Sequence, residues 1–325
     1  MLTLSTAFGS LYVNGVNIMN PNYDRSLFRL GLAMAVLFLL ACAGLLADPR
    51  QLAGAPVWMK PAKFAVSISV YALSLAWVRA RITVWPRLID RLCAVSAWLL
   101  ALEWVAIAGQ AARGVRSHFN TATAPDSILF GLMGTAIGIV WVASAVIAAA
   151  LWRERFEDRT LGTALRLGMA LAVLGSASGG MMVSPTAQQL AGARATGKLP
   201  LTGAHTVGGP DGGPGLAGIN WSTEHGDLRI PHFVGMHGLQ AIPLFALLLG
   251  RRFRERTRVR LVWIASGSFL ALYFLLLGQA LRGTPLVAPE AADVRMFVLW
   301  ALATAAAGLA ALLADARPGT KMETV

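Results

Sequence analysis

Apolar residues dominate the chain in eight long runs, and charged residues, prolines or glycines separate one run from the next. As a helix, each run is long enough to cross the roughly 30 Å of hydrocarbon in a bilayer. The pattern therefore predicts an all-α polytopic membrane protein with eight transmembrane helices. We place these helices at residues 27–47, 62–80, 92–112, 127–151, 161–183, 232–250, 259–281 and 294–314.

Composition excludes several other classes of protein. Hydrophobic residues make up 56% of the chain and charged residues 14%, which excludes an intrinsically disordered protein. Only two cysteines are present, so a disulfide-stapled scaffold is excluded as well. No polar segment is long enough to form a folded basic domain, and we therefore expect no nucleic acid partner despite the net charge of +12.

Basic residues predict how the helices are oriented. Most of the 28 Lys and Arg residues flank the helix ends on one side of the predicted bundle, and the positive-inside rule makes that side cytoplasmic. We therefore expect a multi-pass protein of a bacterial inner membrane, with the N-terminus and the C-terminus in the cytoplasm. The densest basic runs lie at 79–91, 153–159 and 251–258.

Short motifs recur in the same order in the two halves of the sequence. RLGLAMAVL at 29–37 matches RLGMALAVL at 166–174. GQAARG at 109–114 matches GQALRG at 278–283, a shift of 169 residues. Several ordered matches predict that one unit has been duplicated.

Each copy of this unit contains four of the predicted helices. We expect two tandem four-helix repeats, residues 1–156 and 157–325, related by a pseudo-twofold axis along the membrane normal. The shift between matching motifs grows along the chain, which places an exterior loop insertion in the second repeat at about 193–231. A long loop in a compact protein is usually functional or disordered.

Helix three carries the acidic residue that lies deepest in the predicted bundle. Glu103, Gln110 and Arg113 are spaced i, i+7 and i+10 and therefore share one helix face. Glu103 lies roughly 15 Å from the exterior end of the helix. A carboxylate at that depth is costly unless it is paired or hydrated, so Glu103 is the candidate catalytic residue. A structural pairing with Lys63 or Gln110 is the alternative.

Helix six begins PHFVGMHGLQ and supplies the candidate metal ligands. His232, Met236 and Gln240 are spaced i, i+4 and i+8 and predict one polar stripe, with His237 about 100° away. His232, Met236 and His237 are the candidate ligands because imidazole and thioether groups bind transition metals. The competing interpretation is that interfacial histidines hydrogen-bond to the adjoining loop. Apart from Pro243 nothing interrupts this run, and we expect an unbroken helix.

Further candidate residues lie near the exterior ends of other helices. Lys63 of helix two takes the position that the repeat pairs with His232, and His118 lies in the loop after helix three. Arg113 and Arg282 recur in the two GQAxRG motifs and predict a clamp for a phosphate, a carboxylate or haem propionates, or else anchors for lipid headgroups. The complete candidate set for cofactor binding is His118, His232, His237, Arg113, Arg282, Gln110, Gln240 and Lys63.

In plan, the duplicated four-helix units with His232 at the start of helix six resemble the haem A synthase family. PDGGPGLAGINWS at 210–222 is loosely similar to the Gly/Pro/Trp loop of that family. The resemblance implies eight helices and a cofactor site near the exterior. Lys63 stands where that family would have a histidine, helices four and eight contain no histidine, and the exterior loop contains no cysteine pair. A bis-histidine haem and haem A synthase activity are therefore not implied.

Three functions stay open from the sequence alone. The first is a membrane redox or cofactor-binding protein that holds haem b or a transition metal, with Glu103 relaying a proton or shaping a quinone-like pocket. The second is a transporter or binder of a small molecule or ion, with a central polar cavity around Glu103. The third is a non-catalytic assembly subunit that docks a partner through the 193–231 loop.

Overall fold

The computed structural model of this chain describes residues 23–316 and three short strands before them. These strands, β1 (Leu2–Leu4), β2 (Leu11–Val13) and β3 (Val16–Asn17), pair in an antiparallel sheet. The parts of the predicted repeats at the two ends of the chain, and the predicted cytoplasmic termini, otherwise lie outside the described residues.

Four long helices form the first half of the bundle. They are α1 (Arg25–Ala47), α2 (Met59–Arg79), α3 (Pro86–Ala112) and α4 (Ala124–Arg153). Between α1 and α2, the two-residue strands β4 (Gln51–Leu52) and β5 (Ala55–Pro56) form a hairpin. Polar side chains start several helices: Asp24, for example, caps α1 by accepting a hydrogen bond from the Leu27 amide at 2.9 Å.

The second half has the same number of long apolar segments, but two of them are interrupted. It contains α5 (Arg159–Ala177), a 3₁₀ turn (Ser178–Met182), α6 (Ala187–Thr196), β6 (Thr206–Val207), β7 (Gly226–Asp227), α7 (Arg229–Met236), α8 (Gly238–Leu249), α9 (Glu255–Leu281) and α10 (Ala291–Ala316). Seven helical segments of the described chain are long and apolar enough to cross a membrane, and α7 with α8 makes an eighth. The protein is thus a helical, multi-pass membrane protein, as the apolar runs predict.

The helices pack as a bundle, and its largest apolar cluster lies mainly among α1 to α5. In the first half α1 lies along α2 and α3 lies along α4; in the second half α5 lies along α7 and α8, and α9 lies along α10. Helix α4 also packs on α5 and joins the halves. Leu75 of α2, Ile147 of α4 and Met169 of α5 are fully buried in the largest apolar cluster.

Helix six is broken, which corrects the expectation of an unbroken run. Helices α7 and α8 meet at His237 with a bend of 42°. Pro243 has no N–H to donate within α8, so one hydrogen bond of the helix is missing there. Gly175 and Gly235 bring the backbones of α5 and α7 into direct contact, since a Cβ on either glycine would collide with the other residue. On α7, Phe233 is exposed, whereas His232 and Met236 of the predicted stripe are half-buried.

The predicted insertion folds back over one end of the bundle. We call residues 197–228 the cap, and the end that it covers the capped end. The cap bonds to loops of both halves: the Thr202 amide donates to the Phe119 carbonyl at 2.9 Å, and the Gly226 amide donates to the Gly283 carbonyl at 2.8 Å. The opposite end carries the dense arginine runs.

Candidate functional site

A buried acid and a histidine from a distant loop meet beneath the cap. Glu103 lies on α3 with its side chain 1% exposed, and its Oε1 is 3.5 Å from Nε2 of His118. Neither carboxyl oxygen of Glu103 has a hydrogen-bond partner among the residues that the structure describes. The sequence placed both residues among the candidates but not in contact.

His118 reaches this depth because the loop after α3 enters the end of the bundle. We call residues 114–121 the plug. The imidazole ring of His118 packs among three phenylalanine rings, with centroid distances of 5.5 Å to Phe64, 6.2 Å to Phe130 and 6.3 Å to Phe119. These rings come from α2, α4 and the plug itself, so the imidazole is held in an apolar setting next to Glu103.

The cap holds the plug in place through backbone pairing. The Thr121 amide donates to the Pro200 carbonyl at 3.0 Å, and Asn120 pairs with Leu201 as an antiparallel bridge. Gly203 has φ 108°, and a Cβ at this position would collide with the Met182 carbonyl and the Phe119 ring. The predicted insertion is therefore the segment that completes the Glu103 site.

Charged residues of the cap and plug surround the buried pair. Asp211 of the cap accepts from the His205 amide at 2.8 Å and lies 3.4 Å from the Arg116 guanidinium of the plug. Burial alone raises the pKa of the Asp211 carboxyl, but the hydrogen bonds from His205 and the charge of Arg116 outweigh it and hold the pKa well below its usual range. Asp211 therefore stays ionised and links the two segments.

The two histidines of this cluster favour their neutral forms. Burial lowers the pKa of His118 well below its ordinary value, and the charge of Lys60 lowers it further. Burial also lowers the pKa of His205, although the hydrogen bond to Asp211 opposes the shift. A neutral imidazole beside Glu103 can accept a proton, and the imidazolium that forms can then pass it to the Glu103 carboxylate.

Lys60 is a member of this site that the sequence did not single out. Its half-buried ammonium lies 5.9 Å from the centroid of the Phe64 ring, close enough to Glu103 and Asp211 to be attracted by both. The apolar pattern gave no sign of it, because Lys60 precedes the predicted start of helix two. Its spacing of four residues from Phe64 is the signal that places both on one helix face.

Gln110 and Arg113 belong to a separate corner at the end of α3. The Gln110 amide donates to the Asp126 carboxylate at 2.9 Å, and the Arg113 guanidinium contacts both the Gln110 oxygen and Asp126. Arg282 pairs with the buried Asp293, but the side-chain oxygen of Gln279 has no hydrogen-bond partner in the described residues. Both arginines thus have a carboxylate of this chain as partner, and their predicted role as an anion clamp stays a prediction.

Of the candidate ligands of helix six, His232 and Met236 lie on α7 before the break, and His237 lies at the break itself. His232 points at α5, where its Nδ1 is 2.9 Å from the Gly175 carbonyl. The Nδ1 of His237 is 3.1 Å from the Gln240 oxygen, and the Gln240 amide donates to the hydroxyl of Ser74 on α2 at 2.9 Å. Met236 is half-buried on α7 between them in sequence.

Metal binding has no preformed cluster in the described part of the chain. No group of three or more His, Cys, Asp or Glu residues there could hold a metal ion. The proposed ligand set of His232, Met236 and His237, and the binding of haem b, therefore stay predictions. Lys63, the remaining candidate, donates to the Ile219 carbonyl of the cap at 2.8 Å.

No protein-family model, no curated protein and no solved structure matches this chain. The likeness to haem A synthases in plan is accordingly an expectation from the sequence. Any conclusion about function depends on the residues and their geometry.

Proposed function

We propose that this protein is a proton-coupled membrane transporter of a small solute, with Glu103 as the proton-carrying group and His118 as its exchange partner. The observation that supports this most is the buried Glu103 carboxyl, which lies 3.5 Å from His118 and has no hydrogen-bond partner in the described part of the chain. An ionisable group inside a membrane bundle is a functional candidate by default, because its burial is costly.

The surroundings of the pair favour transfer of a proton at the capped end. His118 is carried by the plug, next to the half-buried Lys60 and below the ion pair of Asp211 with Arg116. A proton that enters through the cap meets the His118 imidazole before it reaches the carboxyl. Motion of the plug away from Glu103 would separate the two groups and change which of them holds the proton.

The arrangement of the halves supports a central solute pathway. We propose that they are repeats related by a pseudo-twofold axis, since α1 pairs with α2 and α3 with α4 in the first half, as α5 pairs with α7 and α8, and α9 with α10, in the second. We also propose that the capped end faces the exterior and the arginine-rich end faces the cytoplasm of a bacterial inner membrane. Transporters with parallel repeats have their sites at the repeat interface.

The experiment is a proton-flux assay in liposomes that contain the purified protein and a pH-sensitive dye. A panel of amino acids, carboxylates and organic cations is added outside, and a solute that is co-transported changes the internal pH. Glu103→Gln should abolish the change, and His118→Gln should slow it at least tenfold. Glu224→Gln, which alters an exposed glutamate of the cap, is the matched control and should leave it intact.

The result that contradicts the proposal is equally direct. Proton movement by Glu103→Gln at the wild-type rate would exclude Glu103 as the carrier. Infrared difference spectra of the same samples give a second readout, because a carboxyl band that titrates in the wild type and persists in Glu103→Gln belongs to another residue.

A redox or cofactor-binding protein is the second candidate, and His232 favours it. With its Nδ1 bonded to the Gly175 carbonyl, His232 has Nε2 left as the nitrogen that can bind haem iron or a metal. A reduced-minus-oxidised spectrum of the purified protein, with metal analysis, tests this function. A Soret band lost in His232→Ala and kept in His225→Ala would support it, and a featureless, metal-free sample would exclude it.

A further inference from the structure

Helix α2 and the broken helix six have few close backbone contacts with each other, and we call the space between them at the capped end the groove. Helix α2 makes its close backbone contacts with α1 and α3, whereas α7 and α8 make theirs with α5 and α9. Deeper in the bundle α2 and α8 converge, because the Gln240 amide donates to the Ser74 hydroxyl and Leu239 belongs to the same apolar cluster as Leu75. The groove therefore narrows from the capped end towards Ser74.

Exposed side chains show that both walls of the groove are open. On α2, Val66 is 39% exposed and the neighbouring Ser67 is also exposed. On α7, Phe233 is 44% exposed and packs on the His237 ring at a centroid distance of 4.2 Å. The Nδ1 of His237 is in turn 3.1 Å from the Gln240 oxygen, and the Gln240 amide donates to Ser74, so an unbroken series of contacts leads from Phe233 to Ser74 across the bend.

The cap forms a roof over this groove. The Trp221 ring packs on Phe233 at a centroid distance of 5.6 Å, and the Lys63 ammonium donates to the Ile219 carbonyl at 2.8 Å. Asp227 fixes the roof from behind: its carboxylate accepts from the Ser222 amide and pairs with Arg229. Lys63 thus lies at the top of the groove, where α2 meets the roof.

Of the two cations at the roof, Arg229 and Lys63, only Arg229 is paired with a carboxylate of the described residues. Arg229 is neutralised by its two-pronged contact with Asp227, whose side chain is fully buried. Lys63 has a backbone carbonyl as its hydrogen-bond partner in the described residues, not a carboxylate. From top to bottom the groove therefore offers the Lys63 cation and then the apolar side chains of Phe233 and Val66, and the polar Ser74 closes its deep end. An anionic amphiphile likewise has a charged head followed by apolar chains.

We propose that this groove binds one anionic phospholipid from the surrounding membrane. Its phosphate would accept a hydrogen bond from the Lys63 ammonium beneath Trp221, and an acyl chain would lie along Val66 and Phe233 towards Ser74. A quinone matches the groove less well, because a neutral headgroup leaves the Lys63 charge without a counterion. The site is separate from Glu103, and the proposal holds whether or not the protein moves protons.

The test is native mass spectrometry of the detergent-purified protein with added phosphatidylglycerol or phosphatidylcholine. We expect one phosphatidylglycerol to stay bound through detergent washing, and phosphatidylcholine to bind at least tenfold more weakly. Lys63→Gln should weaken phosphatidylglycerol binding about tenfold, which corresponds to about 1.4 kcal/mol. Lys198→Gln removes the same charge from an exposed position of the cap and should have no effect.

A second variant separates loss of the site from loss of the fold. Lys63→Arg keeps the charge and should retain the lipid, while Phe233→Ala keeps the charge and should weaken binding by loss of the chain contact. Equal retention of phosphatidylglycerol by Lys63→Gln and Lys198→Gln would overturn the proposal. It would also be overturned if phosphatidylcholine bound as tightly, or if extraction of the washed protein released a stoichiometric quinone instead.

Discussion

The corners that end α3 and α9 are built alike, although they lie 169 residues apart. The Gln110 amide approaches the Arg116 carbonyl at 3.5 Å, and the Gln279 amide donates to the Pro285 carbonyl at 3.0 Å. In both corners the residue five positions after the glutamine returns a hydrogen bond to the glutamine's own carbonyl. The GQAxRG motif is thus the sequence of a particular turn, and it recurs because the turn recurs.

The same corners hold the start of the next helix through an ion pair. Arg113 contacts Asp126 of α4 at 3.0 Å, and Arg282 contacts Asp293 of α10. Both aspartates are buried, and both arginines are substantially exposed. In both halves this ion pair fixes the turn between two long helices.

Inside the bundle, corresponding positions differ. Glu103 corresponds to Leu272 at the same shift of 169, and no plug histidine follows α9. Lys63 of the groove corresponds to His232, which bonds to α5 instead. The Gln, Arg and Asp residues that recur in both halves turn the chain, whereas Glu103, His118 and Lys63 have no residue of the same type at the corresponding positions of the second half. The difference separates structural residues from candidate functional ones within a single molecule.

Removal of the corner aspartates should have the largest effect on stability. Asp126→Ala and Asp293→Ala each leave a buried polar group and an arginine without their acceptor. We expect each to lower the free energy of unfolding by about 2 kcal/mol, to a similar extent in the two halves. Unfolding by denaturant in detergent micelles, followed by tryptophan fluorescence, measures this.

Asp90 provides the control for these two variants. It pairs with Arg79 at 2.6 Å, but its side chain is 55% exposed, so Asp90→Ala should change stability by less than about 0.5 kcal/mol. If one corner aspartate proves as dispensable as Asp90, the two corners are not equivalent structures.

Replacement of Glu103 by its counterpart should have a smaller effect and the opposite sign. Glu103→Leu removes a buried carboxyl without hydrogen-bond donors, so we expect stability to rise by about 1 kcal/mol while any proton coupling is lost. Gln110→Leu, at a buried residue with a satisfied amide on the same helix, should instead lower stability. A fall in stability for Glu103→Leu would mean that the acid is a structural residue.

The dependence of stability on pH, which we expect from His118 of the plug and His205 of the cap, should be the smallest of the three effects. The pKa values of His118 and His205 lie below the ordinary 6.5, chiefly because both rings are buried. The contribution of these two neutral histidines to stability is therefore complete above about pH 6.5. It is lost as the pH falls below that value, because both histidines bind protons in the unfolded protein that they do not bind in the folded one. Midpoints of thermal unfolding at about pH 7.5 and pH 5.5 measure the loss.

His118→Phe should flatten this pH dependence, because phenylalanine keeps the aromatic contacts and cannot be protonated. An identical slope in the wild type and in His118→Phe would contradict the assignment of the effect to the buried ring.

The apolar runs predict the helices well, because membrane burial dictates a run of about twenty apolar residues for each span. The break at His237 was not predicted, since Pro243 and the glycines of α7 act through a close approach of α5 that appears only in three dimensions. As a result, the predicted stripe of His232, Met236 and Gln240 differs from the open face that contains Phe233 and His237.

The candidate site was predicted in part. The depth of Glu103 in an apolar helix marked it, because a charge in a membrane helix is rare and costly. The pairing with His118 was not foreseeable, since loops usually lie on the surface and this one is drawn inward by backbone pairing with residues 199–202. Lys60 was not among the candidate residues because it lies just before the predicted second helix, residues 62–80.

Pairing between the plug and the cap also sets an order of events during biosynthesis. Residues 199–202 leave the ribosome roughly 80 residues after the plug, a delay on the order of ten seconds at common rates of translation. During that interval α1 to α4 enter the membrane with Glu103 uncovered and its histidine not yet seated. The first half is thus a nascent intermediate with an exposed polar centre, which chaperones and membrane proteases can recognise until the second half arrives.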